Sequence, residues 1–181
     1  MLAYSSIEHS GLLALGFGFG GLGSFAAILH MIFHSLAKSA LFFSAGNVFL
    51  KYSSVKIARI RGVLSLLPIT GPIFLLGFLA IVGVPPFGIF ITETYILSAG
   101  ISKHPFITLT VLLLLALVFI GFLKHMVHMI FGKIPESIQK GEASYWTTIP
   151  SIILILLLII TGFYLPKPLE SLINSAAALL R

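Results

Sequence analysis

His30, His34 and Lys38 recur every four residues inside an otherwise apolar stretch, Ser24 to Leu50. On a helix that spacing stacks all three on one face. Imidazole can both donate and accept, and it titrates near neutral pH, so two on one face can hand a proton along. A lysine on the same face adds a further group able to hold and release one. As a helix the stretch would be about 40 Å long, enough to cross a bilayer. Lys38 would then lie roughly 18–20 Å from either end. That is too deep for comfortable snorkelling, so it needs a partner, a water-filled cavity or a way of giving up its charge. Holding a lysine at that depth costs roughly 2.5–3.5 kcal/mol on insertion scales, which marks the position as a candidate functional site.

A second candidate lies about fifty residues on. Glu93, flanked by Thr92 and Thr94, follows Gly83-Val84-Pro85-Pro86-Phe87-Gly88 within two turns. Consecutive prolines withdraw two backbone donors and clash with the preceding turn, so a continuous helix breaks there. A discontinuous helix beside a carboxylate is how transporters place a polar site at membrane depth. The plainer alternative is two short spans joined by a tight turn, with an interfacial glutamate.

Lys124, His125 and His128 form a third, looser group, readable either as a conduit or as an anchor that snorkels to the membrane surface. Glu8 and His9 read as residues near an interface. A His-x3-His pair can also hold a metal, but no Glu or Cys ligand stands beside His30 and His34, so no metal is expected. In a purely structural arrangement the histidines would bond between helices, and Lys38 would pair with Glu93 or Glu8. No phosphate loop, nucleotide fingerprint or nucleophile–base signature occurs, so no cofactor is expected and the chain is not read as a redox catalyst.

These residues must be held by helices in a membrane. Of 181 residues 58% are hydrophobic and 9% charged, with a mean hydropathy of +1.12. That composition excludes a soluble domain, and the long unbroken apolar runs exclude a barrel of short alternating strands. The chain has no cysteine, so disulfides and thiolate metal sites are excluded. The expected fold is all-α, a polytopic bundle of about five spans. They cover residues 2–23, 24–50, 68–101 (broken at 83–88), 106–130 and 147–164, with an amphipathic tail at 166–181. The glycines from Gly16 to Gly23 permit close helix contact and weaken the end of the first span. The fifth span, almost pure Ile and Leu, reads as peripheral and lipid-facing.

The net charge of +6 sits mainly in loops and marks orientation, not nucleic-acid binding. Lys51, Lys56, Arg59 and Arg61 form a short loop of four cations and no anion, placed on the cytoplasmic side by the positive-inside rule. Alternation puts the 131–146 loop, with Lys133, Glu136, Lys140 and Glu142, on the same side. Ser102–Pro105 and the tail, with Lys167 and Arg181, then lie outside.

Three motifs in register carry a family resemblance. They are Leu2-Ala3-Tyr4-Ser5-Ser6-Ile7-Glu8-His9-Ser10-Gly11, then His30-x3-His34-x3-Lys38-x2-Leu41-Phe42-Phe43-x2-Gly46-Asn47-Val48, then Gly83-Val84-Pro85-Pro86-Phe87-x5-Glu93. In order and spacing the chain resembles the antiporter-like subunits, the proton-pumping membrane subunits of respiratory complex I, Mrp-type cation/proton antiporters and membrane-bound hydrogenases. The Leu41–Val48 segment is most similar to the group-4 hydrogenase branch.

The resemblance implies a fold of about fourteen helices with two inverted repeats, each holding a broken helix. This chain matches the C-terminal part of that fold, as a half-domain over residues 1–165. It puts Lys38, His30 and His34 on the central relay positions and Glu93 on the charged residue of the second broken helix. Lys124 falls, more weakly, on the exit route. A basic residue stands just before the Ala-Tyr-Ser motif in the family, where this chain has Met1. The first repeat has no counterpart here, which implies a neighbouring chain that supplies it, or a packing role.

The expected function is a proton or cation half-channel in a membrane-bound respiratory or hydrogenase-type complex of the cytoplasmic membrane. The alternatives are a structural membrane-arm subunit and a Na⁺-handling part of a multisubunit antiporter. Partners are other membrane subunits and the bilayer, with no nucleic acid.

Overall fold

The structure is a computed structural model that describes residues 2–134 and 138–180. Met1, Glu136 of the basic loop and Arg181 of the tail lie outside the described residues. Those described form helices and turns with no strand. Three helices are long and apolar enough to cross a membrane, Leu22–Tyr52, Pro105–Phe131 and Trp146–Phe163, and two shorter apolar ones, Thr70–Ile81 and Gly88–Ile101, flank a break.

α1 (Leu2–Phe19) and α2 (Leu22–Tyr52) form an antiparallel hairpin. The turn needs two successive residues with positive φ, at Gly20 (69°) and Gly21 (52°), which only glycine adopts freely. α1 therefore stops before the expected boundary at Gly23. The hairpin is tight: a Cβ on Gly16 would stand 3.0 Å from the Ala27 methyl.

α2 is the hub; after a single turn of helix, α3 (Val63–Leu66), the chain packs α4 (Thr70–Ile81), α5 (Gly88–Ile101) and α7 (Ile149–Phe163) as well as α1 against it. His30, Phe33, Ala37, Lys38, Leu41, Ser44 and Val48 are buried along it. That is the three- and four-residue stepping of a helix with one core face. The stripe that packs the bundle is the same one that carries the chemistry.

α4 (Thr70–Ile81) and α5 (Gly88–Ile101) are the two halves of the broken helix. They measure about 18 and 21 Å, so neither crosses a core of about 30 Å alone. The expected break at Pro85-Pro86 is present, with Gly83 at φ 67°. α7 (Ile149–Phe163) closes over it: a Cβ on Gly162 would lie 3.1 Å from the Gly88 nitrogen and the Pro86 carbonyl.

α7 packs one narrow face on the bundle, with Ser151, Ile155 and Leu158 buried, and leaves Ile149, Ile153, Leu156, Leu157 and Ile160 exposed, as expected of a peripheral, lipid-facing helix. α6 (Pro105–Phe131) is likewise exposed, at Leu109, Leu113, Leu117 and Ile120. The amphipathic tail is a helix, α8 (Lys167–Ala178), with Ile173 and Ala177 buried.

One carboxylate fixes the height of α4. Glu142, in the loop before α7, accepts hydrogen bonds from the backbone N–H groups of Ile69 (2.8 Å) and Thr70 (2.9 Å) and from the Thr70 hydroxyl (2.7 Å). It caps orphan donors at the helix start and places negative charge at the positive end of the helix dipole. Glu142→Ala is expected to cost about 1–3 kcal/mol through those lost bonds, read as a lower Tm of the detergent-solubilised protein. An unchanged Tm would show that the cap contributes nothing.

Candidate functional site

α2 supplies three of the polar groups. His30 is fully buried and Lys38 nearly so, while His34 is half-buried. α1 brings a fourth that the sequence reading left at an interface. Ser5, His9, Leu12, Gly16 and Phe19 are the buried positions of α1, and this stripe turns His9 directly onto α2. His9 is 1% exposed and its Nδ1 lies 2.8 Å from His30 Nε2. The i, i+4, i+7, i+11 pattern was the available signal for it.

The hydrogen bonds assign the tautomers. Ile81 offers a carbonyl, which can only accept, so His9 Nε2–H donates to it at 3.0 Å. His9 Nδ1 is then the acceptor for His30 Nε2–H, and His30 Nδ1 accepts from the Thr92 hydroxyl at 2.7 Å. Thr92 is also 2.9 Å from the Ile89 carbonyl, so its single hydrogen serves one partner or the other. The Ile81 carbonyl belongs to the last turn of α4, where four carbonyls lack helical partners, and Thr92 lies in the second turn of α5. The imidazole pair therefore joins the two halves of the broken helix and satisfies a group that the break exposes.

His34 completes a triangle of rings. Its centroid is 4.4 Å from that of His9 and 6.2 Å from that of His30, and its Nδ1 is buried with no hydrogen-bond partner among the described residues. One turn further along α2, Lys38 reaches across to α1 and donates to the Leu2 carbonyl and the Ser5 hydroxyl. The two sets of partners match the structural alternative only in part. Histidines do bond between helices, whereas the bonds of Lys38 go to neutral oxygens and not to a carboxylate.

Glu93 projects from α5 onto Gly83, where a Cβ would collide with its carboxylate. It shares a cavity of about 20 Å³ with Ser5, Glu8, Ile81, Val82 and Phe122. That is room for about one water. Both expected carboxylates thus face one small polar space, and Ser5 links that space to Lys38. Lys124, His125 and His128 are exposed on α6, and the structure does not bring them into the cluster.

The arrangement is a line of groups that can each pass a proton, enclosed by the apolar bundle. Its members are Thr92, His30 and His9, with the His34 ring against His9, and, one turn along α2, Lys38, Ser5 and the Glu8–Glu93 cavity.

Comparison with known proteins bears on the family and the fold. The family model described as NADH:quinone oxidoreductase/Mrp antiporter, TM, matches residues 1–123. The chain is 33% identical over 184 residues to the Hydrogenase-4 component F homolog of Methylacidiphilum infernorum, a match covering 100% of this chain and 38% of that protein. A chain of the Mrp complex from Dietzia sp. DQ12-45-1b superposes with a TM-score of 0.85 at 18% identity, covering 99% of this chain and 42% of that one. A chain of respiratory complex I from Thermus thermophilus gives 0.79 at 24% identity, covering 99% and 39%. At those identities the two structures establish the shared fold alone. The chain spans about two fifths of the length of each of the three.

Proposed function

Because the chain belongs to the NADH:quinone oxidoreductase/Mrp antiporter membrane family, we propose that it provides a proton-conducting half-channel within a multisubunit membrane complex. Lys38 is the protonatable centre, His30 and His34 are relays with His9 between them, and Glu93 exchanges protons through the cavity that it shares with Glu8. The break at Gly83, Pro85 and Pro86 brings Glu93 and the Ile81 carbonyl to the line. Residues 1–165 form the half-domain, and 166–181 follow as its tail. Lys124, on the exposed face of α6, belongs to the exit side where a neighbouring subunit packs.

The observation that carries this reading is the hydrogen-bonded run Ile81–His9–His30–Thr92 with Lys38 one turn beyond His34. A structural subunit would be served more cheaply by apolar packing at these positions, since buried polar groups stabilise little even when paired.

We place the complex in the cytoplasmic membrane, with the Lys51–Arg61 loop inside. The loop's proximity to the 131–134 segment supports one side for both, as a Cβ on Gly132 would stand 2.8 Å from that of Arg61. The driving reaction is a redox step elsewhere in the complex, of the respiratory or hydrogenase type.

The test is ion flux by the reconstituted complex. His30→Gln keeps one donor and one acceptor but cannot relay, and is expected to lower flux by about 100-fold, the scale of a lost acid–base group. An assembled His30→Gln complex with unaltered flux would establish the packing role. Flux that requires Na⁺ and is lost in the same variant would establish cation handling.

A further inference from the structure

We propose that His9, His30 and His34 form a tridentate site for a divalent transition metal of the zinc class. One ligand nitrogen from each ring can be chosen so that all three lie within 4.8 Å of one another. The His30–His34 pair has no third ligand beside it in sequence; His9, 21 residues ahead of His30 and on another helix, supplies one.

The surroundings of the rings are those of metal-ligating histidines. Such imidazoles nearly always donate their second N–H to a carbonyl, carboxylate or water, which fixes the tautomer and aims the other nitrogen at the ion. His9 does this through Nε2 and the Ile81 carbonyl at 3.0 Å, which leaves Nδ1 facing the cluster. His30 holds Thr92 on Nδ1 at 2.7 Å, which leaves Nε2 facing the same point. His34 contributes a buried nitrogen with no hydrogen-bond partner among the described residues.

Between His9 Nδ1 and His30 Nε2 the free protein carries one shared hydrogen at a separation of 2.8 Å. On binding, His30 moves that hydrogen to its own Nδ1 and donates to Thr92, whose hydroxyl turns to the Ile89 carbonyl 2.9 Å away. No proton is gained or lost, and every polar atom keeps a partner. With metal–nitrogen bonds of about 2.0–2.1 Å the donor nitrogens of a tetrahedral site stand roughly 3.3 Å apart, so His9 and His30 part slightly from 2.8 Å while His34 draws in.

A donor set of neutral imidazoles with no thiolate and no carboxylate suits zinc, copper, nickel or cobalt(II) and not calcium or magnesium. His34, the least buried of the three, is the side of entry. Lys38, one turn beyond it, opposes the added charge, while Glu8 next to His9, sharing its cavity with Glu93, offsets it. If the relay reading holds, an ion here replaces the transferable hydrogen and stops conduction.

The test measures binding in the resting complex, so it does not depend on translocation. The metal-stripped complex is dialysed against ⁶⁵ZnCl₂, and the zinc taken up is compared among wild type, His34→Asn and the double variant His125→Asn/His128→Asn. His34→Asn sacrifices no hydrogen bond of the buried Nδ1 and so keeps the fold, checked by helicity and subunit content. Wild type and the double variant are expected to share one tight equivalent that His34→Asn weakens by at least about 100-fold. Equal uptake by wild type and His34→Asn overturns the site, as does loss confined to the double variant. Zinc binding with His30→Gln flux unaltered would retain the site and remove the relay.

Discussion

Replacing Lys38 by arginine is expected to stop ion flux as completely as replacing it by alanine, by about 100-fold in each case. The two variants separate charge from proton exchange. Alanine removes the donor to the Leu2 carbonyl and the Ser5 hydroxyl, the two bonds that tie α2 to the start of α1, at a cost of about 1–3 kcal/mol, although the Ser5 hydroxyl still donates to the Leu2 carbonyl at 3.0 Å. Its loss of flux could then be a loss of structure. Arginine keeps the positive charge and offers more donors, so the contacts with α1 can be re-formed, but guanidinium does not give up a proton at any working pH. A Lys38 that only ties α2 to α1 would be rescued by arginine. A Lys38 that carries protons would not. The measurement is flux in proteoliposomes alongside electron transfer to an acceptor, which should persist in part because this chain holds no redox centre of its own in this reading. Recovery of flux with arginine would overturn the assignment.

Glu93→Gln is expected to have a loss of similar size while leaving assembly and Tm unchanged. Glutamine matches glutamate in shape, so it fills the same space over Gly83 and lines the same 20 Å³ cavity, but its amide does not titrate. The companion Gly83→Ala works from the opposite side. Its methyl would strike the Glu93 carboxylate, and an alanine at φ 67° adds backbone strain of roughly 1–2 kcal/mol. Flux should fall in both, but Tm only in Gly83→Ala. Full flux in an assembled Glu93→Gln complex would remove the carboxylate from the path.

The backbone plan was legible in the residues. Composition gave a helical membrane bundle, and Pro85-Pro86 located the break because missing donors and ring clashes are local facts. The α2 stripe was legible because three ionisable groups in an apolar run fall on one face. What escaped were matters of partnership. His9 sits beside Glu8 at the start of the chain, and only the α1–α2 hairpin, set by Gly20 and Gly21, brings it to His30. Glu142 looked like one loop charge among several, since nothing near it in sequence reveals that it caps a helix beginning at Thr70. The Ile- and Leu-rich α7 is exposed over most of its surface, as its composition implies, but carries no mark of which narrow face packs on α2. Local chemistry reads directly from a sequence, whereas contacts across dozens of residues depend on how helices are stacked.

Glu142 has a practical consequence for anyone who would insert a tag or reporter. Asn47 donates to the Thr147 carbonyl at 3.1 Å, so the same loop is also fastened to α2. Residues 138–147 therefore behave as a splint between α4 and the relay-bearing α2, and extra length there would let the two slide against each other. The exposed Ser102-Lys103-His104 turn has no hydrogen bond to α2 among the described residues and meets α1 only where His104 stacks on Phe19, so a foreign segment spliced between Ser102 and Lys103 leaves the register of the proton path in place.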